Sequence, residues 1–147
     1  MTVSRWIFPL LLGLAACGAG VDPAGAQQAR QMLNGFRAEQ GLGTVAPSEK
    51  LEEAAMAHAL DMMRGGFFDH RGSDGSDVMA RVRRAGYGAC AVAENIARGQ
   101  GGLAEVMGDW VASPGHRANL SMPQVTGYGL VRAQGNIWVL VLGRDGC

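Results

Sequence analysis

Apolar residues recur at helical spacing along the first three quarters of this chain and at strand-like density near its end. Ala29, Met32, Leu33 and Phe36 fall on one face of a helix that runs to about Gln40 and stops at Gly41. Residues 41–47 form a loop. Leu51, Ala54, Ala55, His58, Ala59 and Met62 then make an apolar stripe, with Ser48 suited to the N-cap and Gly65-Gly66 to the stop. Residues 71–77 are turn chemistry, and a short helix follows from Val78 to Arg84. Gly86 to Cys90 reads as a loop or edge segment. Leu103, Val106, Met107 and Trp110 mark another helix over 103–111, and 116–120 a helical turn after Pro114. The end is a hairpin, 125–133 and 137–142 about Gln134-Gly135-Asn136, and its second run is apolar enough for a central strand covered on both faces.

Helices first and strands late predict an α+β fold, a sheet covered by helices. The 147 residues allow one ordinary domain with a real core, and neither a repeat nor a second domain is visible. With 48% hydrophobic and 18% charged residues, wholesale disorder is excluded. Formal charge is zero and no basic stripe exists, so nucleic acid is a poor partner.

The first residues add a destination. Arg5 precedes an apolar stretch, Trp6 to Leu14, too short to span a bilayer and matching an export signal. The stretch ends in Leu14-Ala15-Ala16-Cys17, which resembles a bacterial lipobox. This implies a lipoprotein signal over 1–16, a lipid-modified Cys17, a tether over 17–26 and a domain over 27–147; several acyl chains would hold it to a membrane. Cleavage near Ala26, as in an ordinary signal peptide, is the alternative. Loss of residues 1–16 removes Arg5 and leaves 12 basic against 13 acidic side chains, so lipid rather than charge would be the anchor. Cys90 and Cys147 then remain in a compartment that permits disulfides, and a Cys90–Cys147 bond tying the chain terminus to a mid-chain loop is expected, with two separate thiols as the alternative.

Candidate chemistry lies in three runs: Phe67-Phe68-Asp69-His70, Ala93-Glu94-Asn95-Ile96-Ala97 and the 110–120 stretch containing Ser113-Pro114-Gly115-His116. His70, Glu94 and His116 are able to share a proton or a divalent ion such as zinc if the fold brings them together. Two imidazoles and a carboxylate leave one zinc position for water; the same side chains also suit a hydrogen-bonded cleft with no ion. Asn95, Ser113, Arg117 and Asn119 stand beside them as support. His58 lies on an apolar stripe and reads as core, as does Trp110, while Met56, Met62, Met63 and Met79 read as packing. A hydrolytic set is conceivable from Ser113 or Ser76 with His116 or His70 and Glu94. No Gly-x-Ser-x-Gly elbow surrounds Ser113, and a serine before proline more naturally begins a turn or caps a helix. Asn119-Leu120-Ser121 matches a glycosylation sequon, accidental in a bacterial lipoprotein.

These runs resemble bacterial members of the CAP superfamily, which includes cysteine-rich secretory proteins, insect venom antigens and plant pathogenesis-related proteins. The resemblance also rests on Leu33-Asn34-Gly35-Phe36-Arg37, Asp74-Gly75-Ser76, Gly86-Tyr87 and Gly127-Tyr128-Gly129, and covers about residues 29–143. It implies a three-layer α-β-α sandwich with a cleft of two histidines and two acids that holds a divalent ion in some members. His70 and His116 match the histidines and Glu94 one acid, with Ala93 replacing the usual glycine; the second acid falls on Ser113. The expected function is an envelope-anchored domain that binds a small molecule, lipid or envelope partner through this cleft. The alternative is a hydrolase, metal-assisted or serine-based, acting on peptide or envelope substrates.

Overall fold

A computed structural model describes residues 23–146. Signal, Cys17 and the start of the tether lie outside them, as does Cys147. Helix α1 (Pro23–Glu39) begins inside the stretch expected as tether, so residues 23–26 are helical. Strand β1 (Ala46–Pro47) falls in the expected 41–47 loop. Helix α2 (Glu49–Gly65) follows and ends on Gly66 at φ +66°, the left-handed turn that glycine adopts without steric cost. Helix α3 (Val78–Arg84) is capped by Asp77, whose carboxylate accepts from the Ala80 amide at 2.8 Å.

Strand β2 (Ala89–Arg98) comes next, then α4 (Leu103–Ala112), α5 (Pro114–Leu120), β3 (Gly127–Ala133) and β4 (Ile137–Asp145). The sheet order is β1-β3-β4-β2, with β1 parallel to β3 and the other pairs antiparallel. The expected central, doubly covered strand is β4. Its Trp138, Leu140 and Leu142 join one apolar cluster with α1, α4 and α5; Ile137, Val139 and Val141 join the other with α2 and α3. This period-two division builds three layers, helix, sheet and helix.

Strand β2 is the element the pattern did not show as one. Residues 93–97 are buried, and the strand pairs along its length with β4, from Ala89 opposite Asp145 to Arg98 opposite Ile137. The glycines of β3 have a packing cause. A Cβ on Gly129 would lie 2.2 Å from the backbone of Leu51 and Glu52, so α2 crosses β3 with no room for a side chain. Arg37 is fully buried and ties the first helix to the rest. Its Nε donates to Gly43 O at 2.7 Å and its Nη1 to Leu120 O and Met122 O at 2.8 and 3.0 Å. It thereby satisfies carbonyls at the end of α5 that lack helical partners.

Candidate functional site

Strand β2 positions the site because alternate side chains leave it toward opposite layers. Glu94 points to the α2–α3 layer and Asn95 to the α5 layer. The Glu94 carboxylate is 2% exposed and fully engaged. Its Oε1 accepts from His70 Nδ1 and its Oε2 from Arg81 Nη2, both at 2.8 Å. A carboxylate only accepts, so the His70 proton sits on Nδ1 and Nε2 remains as the uncommitted ring nitrogen. The His70 side chain is 58% exposed, which presents that nitrogen to solvent. The hydrogen bond to Glu94 raises the His70 pKa above its ordinary value, against the smaller opposing effect of burial.

Two residues read otherwise in the sequence belong to this group. Arg81 is 5% exposed; besides Glu94 it donates to His70 O at 3.0 Å and Ser76 O at 2.9 Å, fastening the 70–76 segment to the strand. His58 is buried as expected, but its Nε2 stands 3.8 Å from Glu94 Oε1 and donates to Asp69 O at 2.9 Å. Burial lowers its pKa and keeps the ring neutral. The periodicity marked His58 as inward-facing but not what it would meet. Arg81 lies among three similar arginines on α3, and only its register with Val78 and Val82 hinted at an inward position.

On the other side, Asn95 Nδ2 donates to His116 O at 3.1 Å, and Asn119 Nδ2 to Glu94 O and Asn95 Oδ1 at 3.1 and 2.8 Å. Arg117 Nε donates to Val111 O at 2.7 Å, bracing the joint between α4 and α5. His116 and Ser113 share a depression of about 500 Å³ with Phe68, Arg98 and Trp110, while His70 and Glu94 line a neighbouring one of about 310 Å³. The His116 pKa is lowered chiefly by burial, with a smaller effect of the same sign from His70. Phe68, 43% exposed, carries the Arg98 guanidinium at 4.9 Å from its ring centre.

The donor set bears on an ion. Among the described residues, no group of three or more His, Cys, Asp and Glu side chains is arranged to hold a metal. Both Glu94 oxygens are occupied, one by a guanidinium whose charge opposes a cation beside it. The residues as arranged therefore do not fit a centre built on all three of His70, Glu94 and His116. A serine triad is not assembled either. The acid–imidazole pair forms at His70, Ser76 bonds to Asp74, and Ser113 occupies the N-cap position of α5 without a side-chain cap bond. What the geometry provides is an exposed imidazole on a buried carboxylate, beside a partly apolar depression.

Comparison with known proteins places this arrangement. Residues 30–142 match the model of the cysteine-rich secretory protein family, CAP. A relative, the uncharacterized protein YkwD of Bacillus subtilis, is 34% identical over 110 residues, which are 74% of this chain and 42% of that protein. The chain thus spans well under half the length of this curated relative. An extracellular protein containing an SCP domain from Bacillus anthracis superposes with a TM-score of 0.76 at 28% identity, over 83% of this chain and 41% of that one. An outer surface protein of Borrelia burgdorferi superposes equally well, TM-score 0.76, at 20% identity over 86% and 98%. With a family match spanning the sheet and every helix around it, the chain belongs to the CAP superfamily as a bacterial member.

Proposed function

We propose that this chain is an exported, lipid-anchored CAP domain of the bacterial envelope that binds a small molecule, lipid or envelope partner at the cleft of His70, Glu94 and His116. Export is supported by the signal-like first residues and by solved relatives described as extracellular or outer-surface proteins. The observation that carries the binding reading is the Glu94 network. It orients one imidazole outward and leaves its Nε2 to a ligand, while Phe68 offers exposed apolar surface in the neighbouring depression. An exposed ring nitrogen whose direction is fixed by buried partners suits a ligand that donates a hydrogen bond to it.

The cleft works in this reading without a resident ion, and zinc titration of the purified protein tests that. We expect no tight zinc uptake; uptake abolished by both His70→Ala and His116→Ala would establish an ion site instead. One observation favours a second reading. A buried carboxylate hydrogen bonded to an exposed imidazole is the acid–base half of a hydrolytic site. Turnover of envelope peptide material that vanishes in Glu94→Gln and His70→Ala but survives Ser113→Ala would establish a histidine-based hydrolase. Equal activity in all three variants would remove catalysis from this cleft.

A further inference from the structure

Residues 69–76 hang between two fixed points. Before them, Phe67 packs against the α2–α3 apolar cluster and its carbonyl accepts from Arg98. After them, Asp77 caps α3 and Val78 packs against the same cluster. The residues between carry no apolar side chain, and all but Gly72 and Ser76 are exposed. No side chain of this segment joins either core cluster. Its own turn is closed from within: Gly72 N donates to Ser76 O at 2.9 Å, Gly75 N to Gly72 O at 2.8 Å and Ser76 N to Asp74 Oδ1 at 2.9 Å.

What ties this turn to the body is polar. On α2, His58 Nε2 donates to Asp69 O at 2.9 Å, and Asp61 accepts from the Ser73 amide and hydroxyl at 2.8 and 2.6 Å. On α3, Arg81 holds His70 O and Ser76 O, and Arg84 holds Asp74 at 3.0 Å. On β2, Glu94 holds the His70 ring. Water replaces a hydrogen bond broken at the surface, so each such tie has a small net worth, whereas lost apolar contact has no substitute in water. Lifting the turn also rehydrates His58, Arg81 and Glu94, three polar side chains buried while it is down. A stretch held in this way opens at far lower cost than the fold it rests on.

We propose that residues 69–76 form a strap that lifts from the body as one piece, in an opening separate from global unfolding, and that this motion gates the cleft. The closed strap seats His70 on Glu94. The open strap carries the imidazole away and uncovers a carboxylate that is otherwise 2% exposed. A ligand that needs the outward His70 ring selects the closed form. That consequence rests on the cleft being the binding site; the motion itself does not.

The test is native-state proton exchange of the full chain at increasing urea, read at the Ser73 amide, the His58 Nε2 proton and the β4 amides of residues 139–141. The first two protons bridge strap and body at separate points. Both should show the same protection, insensitive to low urea and at least about a hundredfold below that of β4. Ser73→Ala removes the hydroxyl tie to Asp61, away from the contact at Asp69. It should speed exchange of the His58 proton about fivefold, the worth of one hydrogen bond, and leave β4 unchanged. A His58 proton that exchanges only as β4 does, with the urea slope of global unfolding, overturns the proposal. A Ser73→Ala protein whose His58 proton stays as protected as before also overturns it, as does a Ser73 amide with no protection, since the strap would then never close. None of these probes is a ligand, so a rigid strap leaves the cleft's binding role standing, and a cleft that binds nothing leaves the strap measurable.

Discussion

Three side chains converge on the Glu94 carboxylate, and Arg81 is the one whose loss has the plainest cost. Arg81→Met would leave Glu94 buried with a neutral neighbour in place of a cation, and would free His70 O and Ser76 O. Breaking a buried pair in this way costs about 3–5 kcal/mol. The expected outcome is a drop of that size in denaturant unfolding, and Arg81→Lys should recover only part of it because a compact ammonium does not reproduce the planar fork of a guanidinium. The histidines make a second prediction. His58 is held neutral by burial, so the unfolded chain takes up a proton first as pH falls below 6.5, and stability is lost toward acid. His70 has its pKa raised by Glu94; its contribution is complete below 6.5 and is lost as pH rises through the elevated folded value. The unfolding midpoint should fall on both sides of that region, and His70→Gln should flatten the alkaline limb alone. An alkaline limb unchanged by the substitution would mean the His70–Glu94 bond does not form in solution. Of these residues, His70 and Glu94 were legible as candidates from their motifs. Arg81 was not, because an arginine that faces inward has the same letter as its exposed neighbours Arg83 and Arg84.

Where helix meets sheet, α2 and β3 approach most closely, and the cause is the missing side chain at Gly129. A methyl group there would overlap backbone atoms of α2 rather than a flexible side chain. Gly129→Ala should therefore push the helix off the sheet and cost about 1–3 kcal/mol or more, read as a lowered unfolding midpoint. Its effect should reach the cleft too, since His58 rides on the displaced helix. The periodic stripes located α2 and α4 within a residue or two, because each packs one face on a broad apolar sheet, and the 71–77 turn chemistry located α3. Strand β2 escaped the same reading for a physical reason. It is buried on both faces yet carries Glu94 and Asn95 at its centre, so neither alternation nor an unbroken apolar run marks it. The polar residues that hid the strand are the ones that make the site.

For the whole molecule, the register of β2 on β4 bears on the cysteines. Ala89 lies opposite Asp145, which brings Cys90 beside the last described residues; Cys147 lies outside them. A Cys90–Cys147 bond would contribute roughly 2–4 kcal/mol by restricting the unfolded chain. Intact mass with and without reductant should differ by the two hydrogens of one disulfide; two free thiols before reduction would refute the bond. Cys17→Ser should abolish lipid labelling and release or misprocess the protein, and a mutant labelled as before would refute the anchor. Element order made a helix-covered sheet legible, and the resemblance to the CAP superfamily supplied the three layers.

Each rim of the sheet is blunted among the described residues. On one side β1 is only two residues long and ends in Pro47. On the other, the outward carbonyls of Glu94 and Ile96 are taken by the Asn119 carboxamide and the Trp110 indole. A neighbouring copy adding a strand along β2 would therefore have to displace two contacts made within the chain.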